Sequence, residues 1–241
     1  MIDPGEIHVW PLALDVPPQQ ARRLEQLISD EERRRAERFG LRRHRHRFVA
    51  RRGLLRSILA SYLQCSPREL RFVFGDQGKP ALGGSAERTG IQFNLSHSAD
   101  RALLAVARRR RVGIDIERVD PAVDVTGLIE TCCTPSEIAE ISRQPQRRRR
   151  ELFLRAWTRK EAVAKACGRG LSLAPKEIEV SVAAAPPAKL LSIQGDRRAA
   201  TRWLLYDLAL DAEYAAAMAA EVPCCRIVTR NWPGFGVPEA A

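Results

Sequence analysis

The sequence predicts an α+β protein built from two similar halves with a cleft between them, on three observations. Strand-like apolar stretches alternate with strongly helical ones, and capping boxes mark helix starts. Short segments also recur in the same order at offsets of 105 to 113 residues.

The elements follow in chain order. A strand is expected over Ile7–Trp10, then helices over 19–28, 30–39 and 43–64, where apolar residues recur at three and four. Ser29…Glu32 opens the second helix, and Ser66-Pro67-Arg68-Glu69 marks another start, with proline at its first position. Strands are then expected over Leu70–Phe74, Ile91–Leu95, Ala102–Ala107 and Val112–Glu117. Thr134-Pro135-Ser136-Glu137 opens a helix over 135–143, and another spans 148–167. The remaining strands are Ile178–Val182, Trp203–Leu208, Tyr214–Ala220 and Arg226–Val228.

The echo pairs Glu6–Trp10 with Gly113–Glu117, and the Ser29 box with the Thr134 box. It continues with Ser66–Phe72 against Ala174–Val180, and Ala102–Ala107 against Ala215–Ala220. The expected division is an N-terminal α+β half over 1–110, a C-terminal one over 111–221 and a tail over 222–241. The run Arg108–Arg111 falls at the junction and reads as a solvated turn.

Composition bounds the function. The chain has 241 residues, 45% hydrophobic and 29% charged, the profile of a soluble globular protein. Its formal charge of +11 favours an anionic partner. No uncharged apolar run approaches the roughly 20 residues of a membrane span, and the start lacks a basic signal region, so a cytoplasmic protein with no membrane partner is expected. Cys65, Cys132, Cys133, Cys167, Cys224 and Cys225 show no metal-ligand spacing and read as reduced core thiols. Lysine is scarce: Lys79, Lys160, Lys165, Lys176 and Lys189 stand against 35 arginines. Ammonium and guanidinium are not interchangeable, so each retained lysine asks for a reason.

Gly113-Ile114-Asp115-Ile116-Glu117 places two carboxylates at i and i+2, on one face of a strand. They suit a hard cation held between them, or a solvated edge strand. In Trp157-Thr158-Arg159-Lys160-Glu161-Ala162-Val163-Ala164-Lys165, spacing of four puts Trp157, Glu161 and Lys165 on one stripe, with Lys160 angled away. Glu161 offers a third oxygen ligand and Lys165 a phosphate contact; the alternative is a solvated Glu/Lys pair. Phe93-Asn94-Leu95-Ser96-His97-Ser98 ends a strand in donors for an anion, or in local caps; no nucleophile elbow supports a Ser/His hydrolase. Gly75-Asp76-Gln77-Gly78-Lys79-Pro80 is a turn but no P-loop, since Pro80 follows the lysine. Ten arginines between Arg33 and Arg52 load the early helices, and a few of them can hold phosphate.

Together, and in this order, these segments resemble the 4'-phosphopantetheinyl transferases of the surfactin-synthetase-activating (Sfp-like) type. The resemblance implies a pseudo-dimer of two α+β halves with the active site between them. It also implies transfer of the phosphopantetheine arm of coenzyme A to a serine of an acidic acyl or peptidyl carrier protein, releasing adenosine 3',5'-bisphosphate, by a monomer. It maps the magnesium ligands, with manganese as the alternative ion, onto Asp115, Glu117 and Glu161. Lys165 and His97 fall at the diphosphate with Ser96 adjacent, Lys79 at the nucleotide end, and Arg35 and Arg47 at the 3'-phosphate. Glu161 is the nearest candidate base for the carrier serine. The sequence departs from the pattern at Glu32, where close relatives carry a lysine. The competing readings are a basic nucleic-acid-binding module and a magnesium-dependent nucleotide hydrolase. With 6% aromatics and no recognisable nucleic-acid motif, the first is disfavoured, and no nucleic-acid partner is expected.

Overall fold

The computed structural model describes residues 2–75, 77–183, 187–223 and 226–234. Asp76 of the predicted turn, Cys224, Cys225 and the end of the expected tail lie outside the described residues.

The first half runs β1 (Glu6–Ala13), α1 (Pro18–Glu25), α2 (Asp30–Glu37) and α3 (Arg42–Leu63), then a small hairpin of β2 (Phe72–Phe74) and β3 (Pro80–Leu82), then β4 (Ile91–Ser98) and β5 (Arg101–Arg108). The second half repeats the plan: β6 (Val112–Arg118), α4 (Thr126–Cys132), α5 (Pro135–Ser142), α6 (Gln146–Cys167) and a hairpin of β7 (Ile178–Val180) and β8 (Leu190–Ile193). After the short α7 (Arg197–Ala200) come β9 (Trp203–Asp207) and β10 (Tyr214–Glu221). In each half the first strand pairs antiparallel with the last, and the last with the middle one, giving the orders β1-β5-β4 and β6-β10-β9. The predicted duplication is therefore a duplication of topology. The final strand, β11 (Arg226–Thr229), returns to the first half and pairs parallel with β1.

Local chemistry explains the helix starts. Ser29 Oγ accepts from the Glu32 amide at 3.2 Å while the Glu32 carboxylate accepts from the Ser29 amide at 3.0 Å. Thr134 and Glu137 repeat the exchange at the head of α5. Ser66 opens only a 3₁₀ turn over Pro67–Glu69, and its echo over Pro175–Glu177 does the same, each followed by a hairpin strand. Gly168, with φ at +70°, ends α6 in the left-handed region that glycine tolerates.

Each half packs its longest helix on its sheet. In the first, Leu54, Leu55, Ile58 and Leu59 of α3 meet Leu104 and Val106 of β5. In the second, Phe153, Ala156, Ala162 and Val163 of α6 meet Ala217 and Ala219 of β10. A third core joins the halves sheet to sheet, with Ile7, Val9 and Leu103 against Ile114, Ile116 and Met218. The junction arginines are less free than the sequence suggested: Arg111 pairs with Glu221 at 2.8 Å and Arg110 donates to the Glu221 carbonyl at 2.9 Å. Strands β3 and β8 and helices α4 and α7 were not expected, since three to seven residues are too few to show a period. Cys65, Cys132, Cys133 and Cys167 are free thiols, as expected. No helix among the described residues is long and apolar enough to cross a membrane.

Candidate active site

The site forms where β4 of the first half meets β6 and α6 of the second. Period two on β4 sends Asn94, Ser96 and Ser98 to one side and Leu95 and His97 to the other. The first set spans to β6. Asn94 Oδ1 accepts from the Ile114 amide at 2.8 Å, Ser96 Oγ donates to Asp115 Oδ1 at 2.8 Å, and Ser98 Oγ donates to Glu117 Oε2 at 2.9 Å while accepting from the Arg118 amide at 3.1 Å. This side-chain ladder does across the seam what backbone pairing does inside a sheet. The second set, Leu95 and His97, lines a cleft of about 600 Å³.

Gly113 sets the distance of α6 from β6. A Cβ there would lie 2.1 Å from the Ala162 carbonyl oxygen and 2.3 Å from the Ala166 amide, so only glycine lets the helix seat so closely. The stripe of Trp157, Glu161 and Lys165 then faces the β6 carboxylates. Lys165 Nζ lies 2.5 Å from Asp115 Oδ1 and 3.2 Å from Ser96 Oγ, and the Trp157 side chain hydrogen-bonds Glu117.

Charge is concentrated here. Burial raises Asp115 above the usual carboxylate range, against the pull of Lys165 and Ser96. Burial also raises Glu117, helped by the Asp115 charge, and raises Glu161, helped by Asp115 and Glu117. Asp115 is 2% exposed, and its Oδ2 is buried without a hydrogen-bond partner. Among the described residues no three His, Cys, Asp or Glu side chains form a ready-made metal cage. An all-oxygen donor set with an orphaned carboxylate oxygen and three acids raised by burial nonetheless fits a hard divalent cation, which is commonly held by one or two carboxylates plus substrate phosphates.

The cleft wall is basic. His97 opens onto the cleft, yet burial by its walls, with Arg51 and Lys165 nearby, pushes it down to about 4, so the ring is neutral at pH 7. Arg35 and Arg51 also line the cleft, each guanidinium 5.6 Å from the Phe48 ring. Burial, with Arg52 and Arg35 beside it, pulls Arg51 down to about 10. Glu32 is no phosphate ligand: it is a nearly buried part of this wall, accepting from Arg52 Nε and Arg56 Nε at 2.6 Å each. Burial opposes its ionisation, but the two guanidiniums prevail and hold it below the usual range.

Asp115, Lys165 and Ser96 are joined by direct hydrogen bonds, Glu117 and Glu161 lie near enough to feel the charges of Asp115 and Lys165, and His97 sits around the strand on the cleft side. Two residues point elsewhere. Arg47 is absent from the cleft lining and is held by Asp15, Nε to Oδ1 at 2.7 Å and Nη2 to Oδ2 at 2.6 Å. Lys79 Nζ donates to the carbonyls of Val112 at 2.9 Å and Lys165 at 2.7 Å, so its ammonium sits at the seam and outside the cleft lining. Sequence reasoning placed Asn94 and Ser98 in the strand-end motif and Arg51 among the ten arginines without giving them individual roles; strand period two could have singled out the first two, and Arg51 lies one helical turn beyond Arg47.

Comparison with known proteins identifies the family. Residues 17–109 match the family described as 4'-phosphopantetheinyl transferase, N-terminal, and residues 111–219 match the 4'-phosphopantetheinyl transferase superfamily. The 4'-phosphopantetheinyl transferase HetI of Nostoc sp. is 39% identical over 214 residues, covering 89% of this chain and 87% of that protein. A phosphopantetheinyl transferase of Thraustochytrium sp. is 28% identical over 235 residues, 90% of this chain and 80% of its own. Among solved structures, a holo-(acyl-carrier-protein) synthase from Bacillus anthracis, in complex with CoA (3',5'-ADP), aligns with 46% of this chain and 93% of its own at 21% identity and a TM-score of 0.38. The chain belongs to the 4'-phosphopantetheinyl transferase superfamily and is an enzyme of that class.

Proposed function

We propose that this transferase moves the 4'-phosphopantetheine arm of coenzyme A onto a serine of an apo-carrier protein and releases adenosine 3',5'-bisphosphate. The observation that supports the assignment of residues is the Lys165 ammonium on Asp115, with Glu117 and Glu161 within electrostatic reach of both, beside a basic cleft. In this reading coenzyme A lies in the cleft, its nucleotide phosphates against Arg35 and Arg51 and its diphosphate near His97 and Lys165. Asp115, Glu117 and Glu161 would hold Mg²⁺, or Mn²⁺ in its place, whose charge when bound neutralises the diphosphate oxygens.

The chain's own groups then act as follows. Glu161, with its proton affinity raised by burial and by its acidic neighbours, accepts the proton of the carrier serine directly or through one water. The serine oxygen forms the new bond to the pantetheine-bearing phosphorus, and the bond from that phosphorus to the bridging oxygen breaks. Lys165 donates to the oxygen on which charge develops, and neutral His97 donates a second hydrogen bond. Ser96 holds Asp115 and Ser98 holds Glu117, so both carboxylates keep their orientation through turnover. The enzyme acts as a cytoplasmic monomer, and its charge of +11 suits an acidic carrier.

The test is an intact-mass assay. Purified protein with Mg²⁺ and coenzyme A should add one phosphopantetheine to an apo-carrier, and Asp115→Asn should abolish the shift. No shift across a panel of apo-carriers would defeat the proposal, and release of pantetheine phosphate without any carrier would make the protein a hydrolase instead.

A further inference from the structure

Lys79 is the one lysine at the first half's edge of the site, and its ammonium is spent entirely on the second half. The tight turn that presents it is closed by the Gly75 amide on the Lys79 carbonyl at 3.1 Å and the Gly78 amide on the Gly75 carbonyl at 2.8 Å. The same turn rests on the chain just past α6: a Cβ on Gly170 would lie 2.6 Å from Gln77 Cβ. From there Lys79 Nζ reaches two carbonyls of separate elements, Val112 at the start of β6 and Lys165 in the last turn of α6. The Lys165 carbonyl also accepts from the Gly168 amide at 3.3 Å, a long bond at the helix C-cap, and the C-terminal end of a helix favours a cation, so the ammonium adds a second, shorter contact that anchors the helix end. Burial, with Arg111 nearby, brings Lys79 down to about 8, in keeping with an enclosed site. Pro80, the next residue, faces the cleft, whereas Lys79 does not line it.

Those two carbonyls flank the chemistry. Val112 lies three residues before Asp115 on β6, and the Lys165 carbonyl belongs to the residue whose ammonium meets Asp115. We infer that Lys79 is a positioning residue: it clamps the end of α6 to the start of β6 across the seam between the halves, fixing Lys165 against Asp115, and does not itself bind the nucleotide. The inference rests on the reading of Lys165 in the transferase. A shift of about 1 Å in a positioned group costs on the order of 100-fold in rate.

The experiment separates binding from turnover. Lys79→Met should lower kcat about 10- to 100-fold while leaving the Kd of adenosine 3',5'-bisphosphate, measured by calorimetry, within about twofold. In a Lys165→Ala background the same change should add nothing to the loss, because a group acting through Lys165 has no target once that side chain is gone. A rise of tenfold or more in Kd, or a multiplicative further loss in the double variant, would overturn the inference. Should Lys79→Met fail to fold, Lys79→Arg decides: it keeps the charge a nucleotide phosphate needs, but its planar fork does not fit an enclosure built for an ammonium. Loss of turnover with unchanged affinity supports the clamp, and retained turnover defeats it. Undiminished turnover in Lys165→Ala alone would instead refute the role given to Lys165.

Discussion

Lys160, beside Glu161 in the helix, carries a large stability effect. It is 1% exposed and its ammonium meets Glu137 Oε2 at 2.6 Å, the Cys132 carbonyl at 3.1 Å and the Pro175 carbonyl at 3.0 Å. The Glu137 side chain is 2% exposed, with two backbone amides, those of Thr134 and Val180, as its other donors. Lys160→Met keeps the aliphatic stem but leaves a buried carboxylate without its counter-charge and takes the ammonium donor from two carbonyls. Breaking a buried pair from one side costs about 3–5 kcal/mol. For a chain of this size each kcal/mol moves the melting temperature by roughly 2–4 °C, so a fall on the order of 10 °C should appear in a circular-dichroism melt at pH 7. Lys160→Met combined with Glu137→Gln should recover more than half of the loss, since the stranded charge is then gone. Lys160→Arg should not, because a planar guanidinium cannot converge on three acceptors arranged around a single point. A loss below about 1 kcal/mol in the single variant would show that Glu137 is solvated or compensated, and the reasoning would fall.

Three further outcomes are expected. Glu161 is raised by burial and by Asp115 and Glu117, so the folded state holds its proton more tightly than the unfolded chain does. Its ionisation therefore costs stability, a cost absent below the unfolded value of 4.5 and complete once pH exceeds the raised folded value. Glu161→Gln should then raise the melting temperature at pH 8, leave it unchanged near pH 4 and abolish turnover; equal effects at both pH values would contradict the sign. Arg51→Ala should weaken binding of adenosine 3',5'-bisphosphate about 10- to 100-fold, the scale of a charge-assisted hydrogen bond, while Arg47→Ala changes it less than about twofold. Gly113→Ala should cost about 3 kcal/mol or more in urea unfolding, because a Cβ would meet the Ala162 carbonyl oxygen at 2.1 Å. Full stability in that variant would mean that α6 can retreat from β6 without penalty.

What the sequence disclosed follows from how many elements each feature needs. Asp115 and Glu117 share a face because one strand has period two, and Glu161 and Lys165 share a stripe because one helix repeats at four. Both are properties of a single element, readable before any packing is known. The duplication was readable for a similar reason, since capping boxes and turns are local. The fate of an arginine or lysine on a crowded helix is not local. Arg47 and Arg51 lie one turn apart on α3, and only the position of Asp15 decides that the first is captured while the second faces the cleft. Glu32 looked anomalous because its partners, Arg52 and Arg56, come from another helix. Lys79 could not be placed without knowing that its turn packs against the end of α6.

The scarcity of lysine becomes intelligible in these terms. Adjacent residues on α6 show the choice being made by acceptor geometry. Arg159 is fully buried, and its fork reaches both oxygens of Asp207, at 2.8 and 2.5 Å, together with the carbonyls of Ser181 and Ala183. Those acceptors are spread in a fan, which suits five donors fixed in a plane. The three acceptors of Lys160 converge instead, as do the two carbonyls at Lys79 and the Asp115 and Ser96 oxygens at Lys165. Converging acceptors suit a small ammonium with three rotatable donors. A chain that uses arginine nearly everywhere thus keeps lysine at three points where a guanidinium does not fit. All three tie α6 down: at the carboxylates, at its C-terminal turn and at the loops beneath it. The helix that bears Glu161 and Lys165 is therefore held at three points by point charges, and the precision of the site is a property of that attachment as much as of the acidic residues themselves.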